Sequence, residues 1–329
     1  MSFSFSVGLA FATAHRIDRA VAHALRCLGQ PVKFCPKIVP AQTVLTAALP
    51  AEVRVFKVVP REFSEEFIDR LLEVTELDRT QTFRGSRHGV FGTPGVRYYG
   101  SLENNHTLAI IPAQGWIHYT RMDAVDDKGD RSLVGPTEEE TLQRGLEFAK
   151  FLGLKESDLA RTSDKERLHY YFRKTEGGPV LPPPRVKSME VFFRRALDGH
   201  PVVAEGLYGG LWVGFGFRGK LYKFSLTARA TEPMYAFPVT PIAEQLKVLT
   251  ECKQVYAFPW PVDAKDLKKD QDAVLTLVLV EVVYFEDAPE RVQKIIPPLL
   301  RWEGELQFNA EQHTVVLYTP IKEAGAKPK

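Results

Sequence analysis

A pattern that occurs three times along the chain most constrains its fold: an amphipathic helix followed by strands that alternate apolar and polar residues. The helix patterns cover residues 60–74, 135–154 and 237–249. The strand runs that follow cover residues 95–123, 167–229 and 253–321. Because strand follows strand without a helix between, antiparallel sheets are favoured over a doubly wound parallel sheet. The sequence therefore predicts an α+β fold of repeated helix-plus-antiparallel-sheet modules.

The helix starts have recognisable capping chemistry. Ser64, Thr137 and Thr240 stand at the N-cap positions. Glu140 completes a capping box with Thr137, and Pro241 takes the first helical position after Thr240. In the second helix, the residues predicted to be buried are Leu142, Leu146, Ala149 and Leu152.

These patterns predict three modules and two terminal segments. The modules are residues 51–126, 127–235 and 236–323, the last packed with the second, and residues 324–329 form a disordered tail. Residues 1–50 have an uncertain role, with a weak signal-like start and a short amphipathic helix. Cys27 and Cys35 could form a disulfide in an oxidising compartment or remain thiols, and the sequence leaves both alternatives open.

Charge and hydropathy exclude several classes of protein. The 329 residues include 43 basic and 41 acidic residues, a net charge of +2. This balance, without a basic run, does not suggest a nucleic-acid partner. No stretch reaches the roughly 18–20 apolar residues of a membrane-spanning helix. The signal peptide is unconvincing because no positive charge precedes its apolar run.

The sequence predicts no catalytic, cofactor-binding or metal-binding residues, and hence no enzyme. It contains neither a Gly-x-Ser-x-Gly motif nor a phosphate-binding loop. The glutamates in the first turns of the helices suit the helix dipole. The spacing of Cys27 and Cys35 is not that of a zinc site. One alternative is a hydrolase whose site assembles from distant residues such as His169 and Asp198.

Residues 193–229 carry well-patterned β-structure with little reactive chemistry. Within them, "WVGFGF" alternates large residues with glycine. An exposed aromatic patch there would be the first candidate for an interface with a partner protein. The candidate interface residues are Tyr208, Trp212 and Phe217.

The segments "VFFRRALDGHPVVAEG" (191–206) and "LWVGFGFRGKLYKFSLTAR" (211–229) are similar to PepSY and thermolysin-propeptide-type modules. The wider order, from "VRVFKVVPREFSEEFIDRLLEV" (53–74) to "HTVVLYTPI" (313–321), resembles bacterial extracytoplasmic regulators of the YycH/YycI type. The resemblance implies PepSY/cystatin-like modules, an extracytoplasmic location and possible peripheral association with a membrane. It supplies no catalytic residues and no cofactor.

The predicted function is therefore non-enzymatic: an extracytoplasmic protein that binds and regulates a partner protein. By resemblance, the partner is a protease that the chain inhibits or chaperones, or a membrane sensor kinase. A different alternative is a small-ligand or lipid-binding module, because a helix across a curved sheet can enclose a pocket.

Overall fold

The structure is a computed structural model in which eleven ranges of the chain are described. They are residues 3–32, 37–80, 95–101, 105–125, 134–160, 168–172, 186–204, 209–251, 255–258, 273–308 and 311–325. The α-helices of these residues are α1 (Phe3–Leu28), α2 (Gln42–Leu45), α3 (Glu65–Thr75), α4 (Glu138–Phe151) and α5 (Ile242–Glu251).

The strands of these residues are numbered in chain order. The first nine are β1 (Gln30–Val32), β2 (Lys37–Pro40), β3 (Glu52–Val59), β4 (Arg97–Ser101), β5 (His106–Ile111), β6 (Trp116–Arg121), β7 (Leu168–Phe172), β8 (Val186–Arg194) and β9 (Ala196–Leu197). The others are β10 (His200–Ala204), β11 (Gly210–Phe215), β12 (Leu221–Thr227), β13 (Ala230–Pro238), β14 (Val255–Phe258), β15 (Val274–Glu286), β16 (Ile295–Ile296), β17 (Pro298–Phe308) and β18 (Glu311–Thr319).

The described strands form three sheets. An eight-stranded sheet has the order β1-β14-β18-β17-β15-β10-β9, and β2 also pairs with β15. A seven-stranded sheet has the order β4-β5-β6-β12-β11-β8-β7, and a three-stranded sheet the order β13-β3-β16. The pairings are antiparallel except for β10 and β2, which both run parallel to β15. The predicted α+β fold class is confirmed.

The predicted modules do not correspond to separate sheets. Strands β4 to β6 of the first module and β7, β8, β11 and β12 of the second form the single seven-stranded sheet. The junction is the antiparallel pair β6–β12, in which Tyr119 lies opposite Phe224. Both rings belong to the same buried cluster under α3 and α4. Burying one continuous apolar face therefore joins strands that the linear pattern assigned to different modules.

The caps of the first two repeated helices are confirmed. The Ser64 hydroxyl accepts a hydrogen bond from the Phe67 amide (3.1 Å), and α3 begins at the next residue. Thr137 and Glu140 form the predicted capping box of α4. Thr240 and Pro241 differ from the prediction: α5 begins at Ile242, one residue after Pro241. The Thr240 hydroxyl donates to the Lys322 carbonyl oxygen (3.2 Å) and accepts from Gln245 Nε2 (2.8 Å).

The predicted buried face of α4 is wrong at Leu146, which is 39% exposed. The buried residues of α4 are Thr141, Gly145, Phe148 and Ala149. A β-carbon on Gly145 would lie 2.6 Å from the Val191 side chain. The helix therefore approaches the sheet at a glycine, and this rotates Leu146 out of the interface.

The N-terminal helix α1 belongs to the folded body. The sequence places Ile17, Val21, Leu25 and Leu28 of this helix on one face. Val21, Leu25 and Leu28 pack against the eight-stranded sheet with Phe285 and Leu299, whereas Ile17 packs against a different cluster, the one that contains Leu300. Leu300, the next residue of β17, belongs instead to the cluster that packs against α5. Because neighbouring strand residues point to opposite faces, the part of α1 from Val21 to Leu28 and α5 lie on opposite faces of this sheet. Among the described residues, no helix combines the length and apolar character needed to cross a membrane.

A buried ionic cluster joins the seven-stranded and eight-stranded sheets. Glu286, at the end of β15, has no exposed surface, and one of its oxygens accepts from Arg195 Nη1 (3.1 Å). The same oxygen accepts from the backbone amide of Arg229 (2.9 Å), and Arg229 itself is 1% exposed. Arg195 lies between β8 and β9, and Arg229 lies between β12 and β13, so both follow strands of the seven-stranded sheet, whereas Glu286 ends a strand of the eight-stranded sheet. The ionic cluster therefore links the two sheets.

Gly115 allows a close backbone contact, so we expect Gly115→Ala to be destabilising. Its φ is +58°, and a β-carbon there would lie 2.2 Å from the Ala228 carbonyl oxygen. Gly153 also has a positive φ (+81°) but nothing within 4 Å of such a carbon, so Gly153→Ala is the control. Urea unfolding should show Gly115→Ala losing about 1–3 kcal/mol more than the control. Equal losses would contradict the contact.

Candidate functional site

Three side chains of chemically reactive types meet where α1 crosses the end of β15. His23 and Cys27 lie four residues apart on α1, so they face the same way one turn apart. Asp287 follows the last residue of β15. Their potential ligand atoms all lie within 4.8 Å of one another. His23 Nε2 is 2.6 Å from Asp287 Oδ2 and 3.6 Å from Cys27 Sγ.

The Asp287 carboxylate is buried and held on both sides. Only 3% of the residue is exposed. While Oδ2 faces His23, Oδ1 accepts from Arg291 Nη1 (3.1 Å) and from the Ala288 amide (3.0 Å). Arg291 Nη1 also lies 3.3 Å from Cys27 Sγ. The carboxylate, thiol, imidazole and guanidinium therefore form one connected polar group, which we call the His23 cluster.

Arg229 connects the His23 cluster to the buried ionic cluster. Its guanidinium donates to the carbonyl oxygens of Asp287 (2.6 Å), Ala288 (3.0 Å) and Arg291 (3.1 Å). Burial lowers the pKa of Arg229, and the negative charges of Glu286 and Asp287 oppose this effect. The turn that carries Asp287 and Arg291 is thus positioned by a buried cation.

The His23 cluster does not have the arrangement of a catalytic triad. In such a triad the nucleophile and the carboxylate contact different nitrogens of the imidazole ring. Here Cys27 and Asp287 both contact Nε2 of His23. Two potential ligands, the Cys27 sulfur and the Asp287 oxygen, converge on one nitrogen, which is not the arrangement of a proton relay.

A cavity of about 800 Å³ adjoins the His23 cluster, between α1, β3, β13 and the turn after β15. Its lining includes five basic residues, and Asp287 is the one acidic residue in its described lining. The basic residues are Arg16, Arg19, Lys57, Arg291 and Lys294. Apolar surface is also present, from Ala20, Val58, Met234, Val292 and Ile295. We call this the basic cavity.

A second cavity, of about 1000 Å³, lies beside α4 and β10 and has a mixed charge. Lys150 and His200 line it together with Glu156 and Glu281. Burial lowers the pKa of His200 from its usual value. Lys150 is then the only cation among the lining residues named above, against two carboxylates, and among the described residues no cluster of metal-binding side chains adjoins the second cavity. It is therefore the weaker candidate for an anion site.

The predicted interface residues do not form an exposed patch. Trp212 is 5% exposed and Phe217 is 7% exposed, while Tyr208 lies outside the described residues. The indole of Trp212 donates to the carboxylate of Glu190, which is 2% exposed. Trp212 is therefore held in a buried polar arrangement.

The pair suggested for a hydrolase is not assembled among the described contacts. The Asp198 carboxylate accepts from Arg54 Nη1 (3.0 Å), and Asp198 lies in the turn between β9 and β10. His169 lies on β7, where the backbone alone is described. Cys35, the suggested disulfide partner of Cys27, also lies outside the described residues.

Sequence reasoning missed His23, Cys27 and Asp287. The spacing of His23 and Cys27 on a predicted helix was a readable signal, because residues four apart share a helix face. Asp287 had no such signal, since it lies 264 residues from His23 in the sequence.

Comparisons with known proteins add no family. No protein-family model matches the chain, and no curated protein does. Among solved structures, it is similar to the crystal structure of an uncharacterized protein from Eubacterium rectale ATCC 33656. That similarity has a TM-score of 0.46 at 11% identity and covers 90% of this chain and 94% of that chain. A likeness at this level carries no argument about fold or function.

Proposed function

We propose that the protein binds a small amphiphilic anion, such as a fatty acid or a lipid phosphate, in the basic cavity. The observation that carries this proposal is the charge of the cavity wall, where five basic side chains stand against the single carboxylate of Asp287 among the described lining residues. That carboxylate already accepts hydrogen bonds from Arg291 and Ala288. Lys57 also lies 3.8 Å from the exposed Glu232 carboxylate, but Arg16, Arg19 and Lys294 still give the wall a net positive charge.

The shape and surface of the basic cavity suit such a ligand. A volume of about 800 Å³ falls within the 300–1,000 Å³ that is typical of small-molecule sites. Arginine is well suited to carboxylates and phosphates because its planar group donates two parallel hydrogen bonds. The apolar side chains of Val58 and Ile295 offer contacts for a hydrocarbon tail.

Reversing the charge of the helix wall should remove anion binding. In the double variant Arg16→Glu/Arg19→Glu, we expect affinity for octyl phosphate to fall at least about tenfold, because a hydrogen bond to a charged group contributes about 1.5 kcal/mol or more. Isothermal titration calorimetry of the full chain measures this. The matched control is Arg26→Glu, an exposed position on α1 that is not among the lining residues.

Three outcomes would count against the proposal. Octyl phosphate could fail to bind the unmodified protein, octylamine could bind equally well, or Arg26→Glu could weaken binding as much as the double variant. The cationic probe has the same tail, so it separates charge recognition from apolar contact.

Regulation of a partner protein outside the cytoplasmic membrane stays a prediction. A partner could add a strand at an exposed sheet edge. The edge strand β13 has five consecutive exposed residues, 232–236. It also contains Pro233 and Pro238 and has a register shift between Pro233 and Tyr235, features with which natural sheets prevent such pairing. The basic cavity therefore has the stronger support.

A further inference from the structure

We propose that His23, Cys27 and Asp287 bind one zinc ion at the edge of the basic cavity. An imidazole nitrogen, a thiolate and a carboxylate oxygen are the ligands that zinc takes in proteins. The three ligand atoms lie within 4.8 Å of one another, and they come from two elements that meet only in the folded chain. This inference goes beyond anion binding and does not depend on it.

The separation of the two helix ligands fits tetrahedral zinc. Zinc lies about 2.0–2.1 Å from a histidine nitrogen and about 2.3 Å from a cysteine sulfur, which places these atoms roughly 3.6 Å apart at a tetrahedral angle. The observed distance from His23 Nε2 to Cys27 Sγ is 3.6 Å. Asp287 Oδ2, now 2.6 Å from the same nitrogen, would move outward to about 3.3 Å.

The Asp287 carboxylate has hydrogen-bond partners of the kind that orient the ligands of a metal ion. Oδ1 of Asp287 accepts from Arg291 and from the Ala288 amide, so Oδ2 is the oxygen that is turned towards His23. Such outer hydrogen bonds orient ligands and tune the affinity for the metal. Arg291 Nη1 also lies 3.3 Å from the Cys27 sulfur.

Ligand type favours zinc over magnesium and calcium, and the charge suits a divalent cation. The thiolate and the carboxylate together neutralise a divalent cation, so Arg291 beside them is not repelled. A thiolate ligand disfavours magnesium and calcium, which prefer oxygen. Three protein ligands leave a fourth position of the kind that catalytic zinc sites keep open. His23 and Asp287 both line the basic cavity, so this position would face it.

The test uses the metal alone, on the full chain after treatment with a chelator. Titration with zinc should give one equivalent bound, and cobalt should give a thiolate-to-cobalt charge-transfer band. The variants Cys27→Ser, His23→Gln and Asp287→Asn should each weaken zinc binding by at least about 10–100-fold, the loss that an outer-shell substitution alone can cause. Cys27→Ser should also abolish the band.

The matched control is the double variant Cys35→Ser/Cys252→Ser, which leaves Cys27 as the single cysteine of the three in the chain. It should keep both the band and the zinc affinity. The proposal is overturned if the unmodified protein gives no band, if Cys27→Ser retains the band, or if the three ligand variants bind zinc as tightly as the unmodified protein. None of these measurements involves an anion, so failure here is separate from failure of octyl phosphate to bind.

Discussion

Replacing Glu286 with alanine should lower the free energy of unfolding by about 3–5 kcal/mol, the cost of leaving a buried charge without its partner. Glu286 is fully buried and accepts hydrogen bonds from Arg195 and from the Arg229 amide. Without this carboxylate, the two guanidiniums remain close together in the interior, and Arg229 is 1% exposed. Arg229 keeps its charge near pH 7, because an arginine guanidinium stays protonated in proteins.

Urea unfolding monitored by circular dichroism measures this loss. The matched control is Glu281→Ala on the same strand, where the side chain is 28% exposed. Its partner Arg301 keeps a second carboxylate, that of Glu303 at 2.7 Å. We therefore expect the control to lose about 1 kcal/mol or less. Similar losses in the two variants would contradict the role of Glu286 in joining the sheets.

Stability should fall by about 3 kcal/mol between pH 6.5 and pH 4 because of His118 alone. Burial, with a smaller effect from the charge of Lys223, lowers the pKa of His118 from 6.5 to about 4. The ring is stacked on Trp116, with centroids 5.6 Å apart. In this interval the unfolded chain takes up a proton that the folded chain does not, so acid favours unfolding. Well above pH 6.5 both states hold a neutral ring, and the effect vanishes.

The variant His118→Gln isolates this effect from the carboxylates that titrate in the same range. Its free energy of unfolding, measured at a series of pH values, should decline less steeply than that of the unmodified protein between pH 6.5 and pH 4. The control is His15→Gln, since the His15 side chain is exposed. Parallel pH curves for the unmodified protein and His118→Gln would contradict the prediction. They would show that the folded protein takes up a proton on His118 as readily as the unfolded chain between pH 6.5 and pH 4.

The sequence predicts hydrogen bonds between residues close in the chain, but it does not predict which distant strands pair. The caps at Ser64 and Thr137 were predictable because each depends on contacts within three residues. Leu146 was misplaced because helical spacing alone cannot show that α4 approaches the sheet at Gly145. Tyr119 lies opposite Phe224, and this strand pairing joins strands of two predicted modules into a single sheet. The alternation of apolar and polar residues along each strand does not show which strands pair.

The candidate site also combines a contact that the sequence predicts with one that it does not. His23 and Cys27 share one face of a helix, so their proximity follows from the spacing. Asp287 reaches them only because β15 ends beneath α1 and because Arg229 holds the following turn through three carbonyl oxygens. The basic cavity likewise draws its cations from α1, β3 and the turn after β15, which are far apart in the sequence.

The most direct test of the account is a crystal structure of the protein with a bromine-labelled fatty acid. The anomalous signal of bromine locates the hydrocarbon tail without reference to any expectation. We predict one strong peak inside the basic cavity, with the carboxylate beside Arg16, Arg19 or Lys294. A peak in the cavity beside α4, or on the outer surface, would contradict the account.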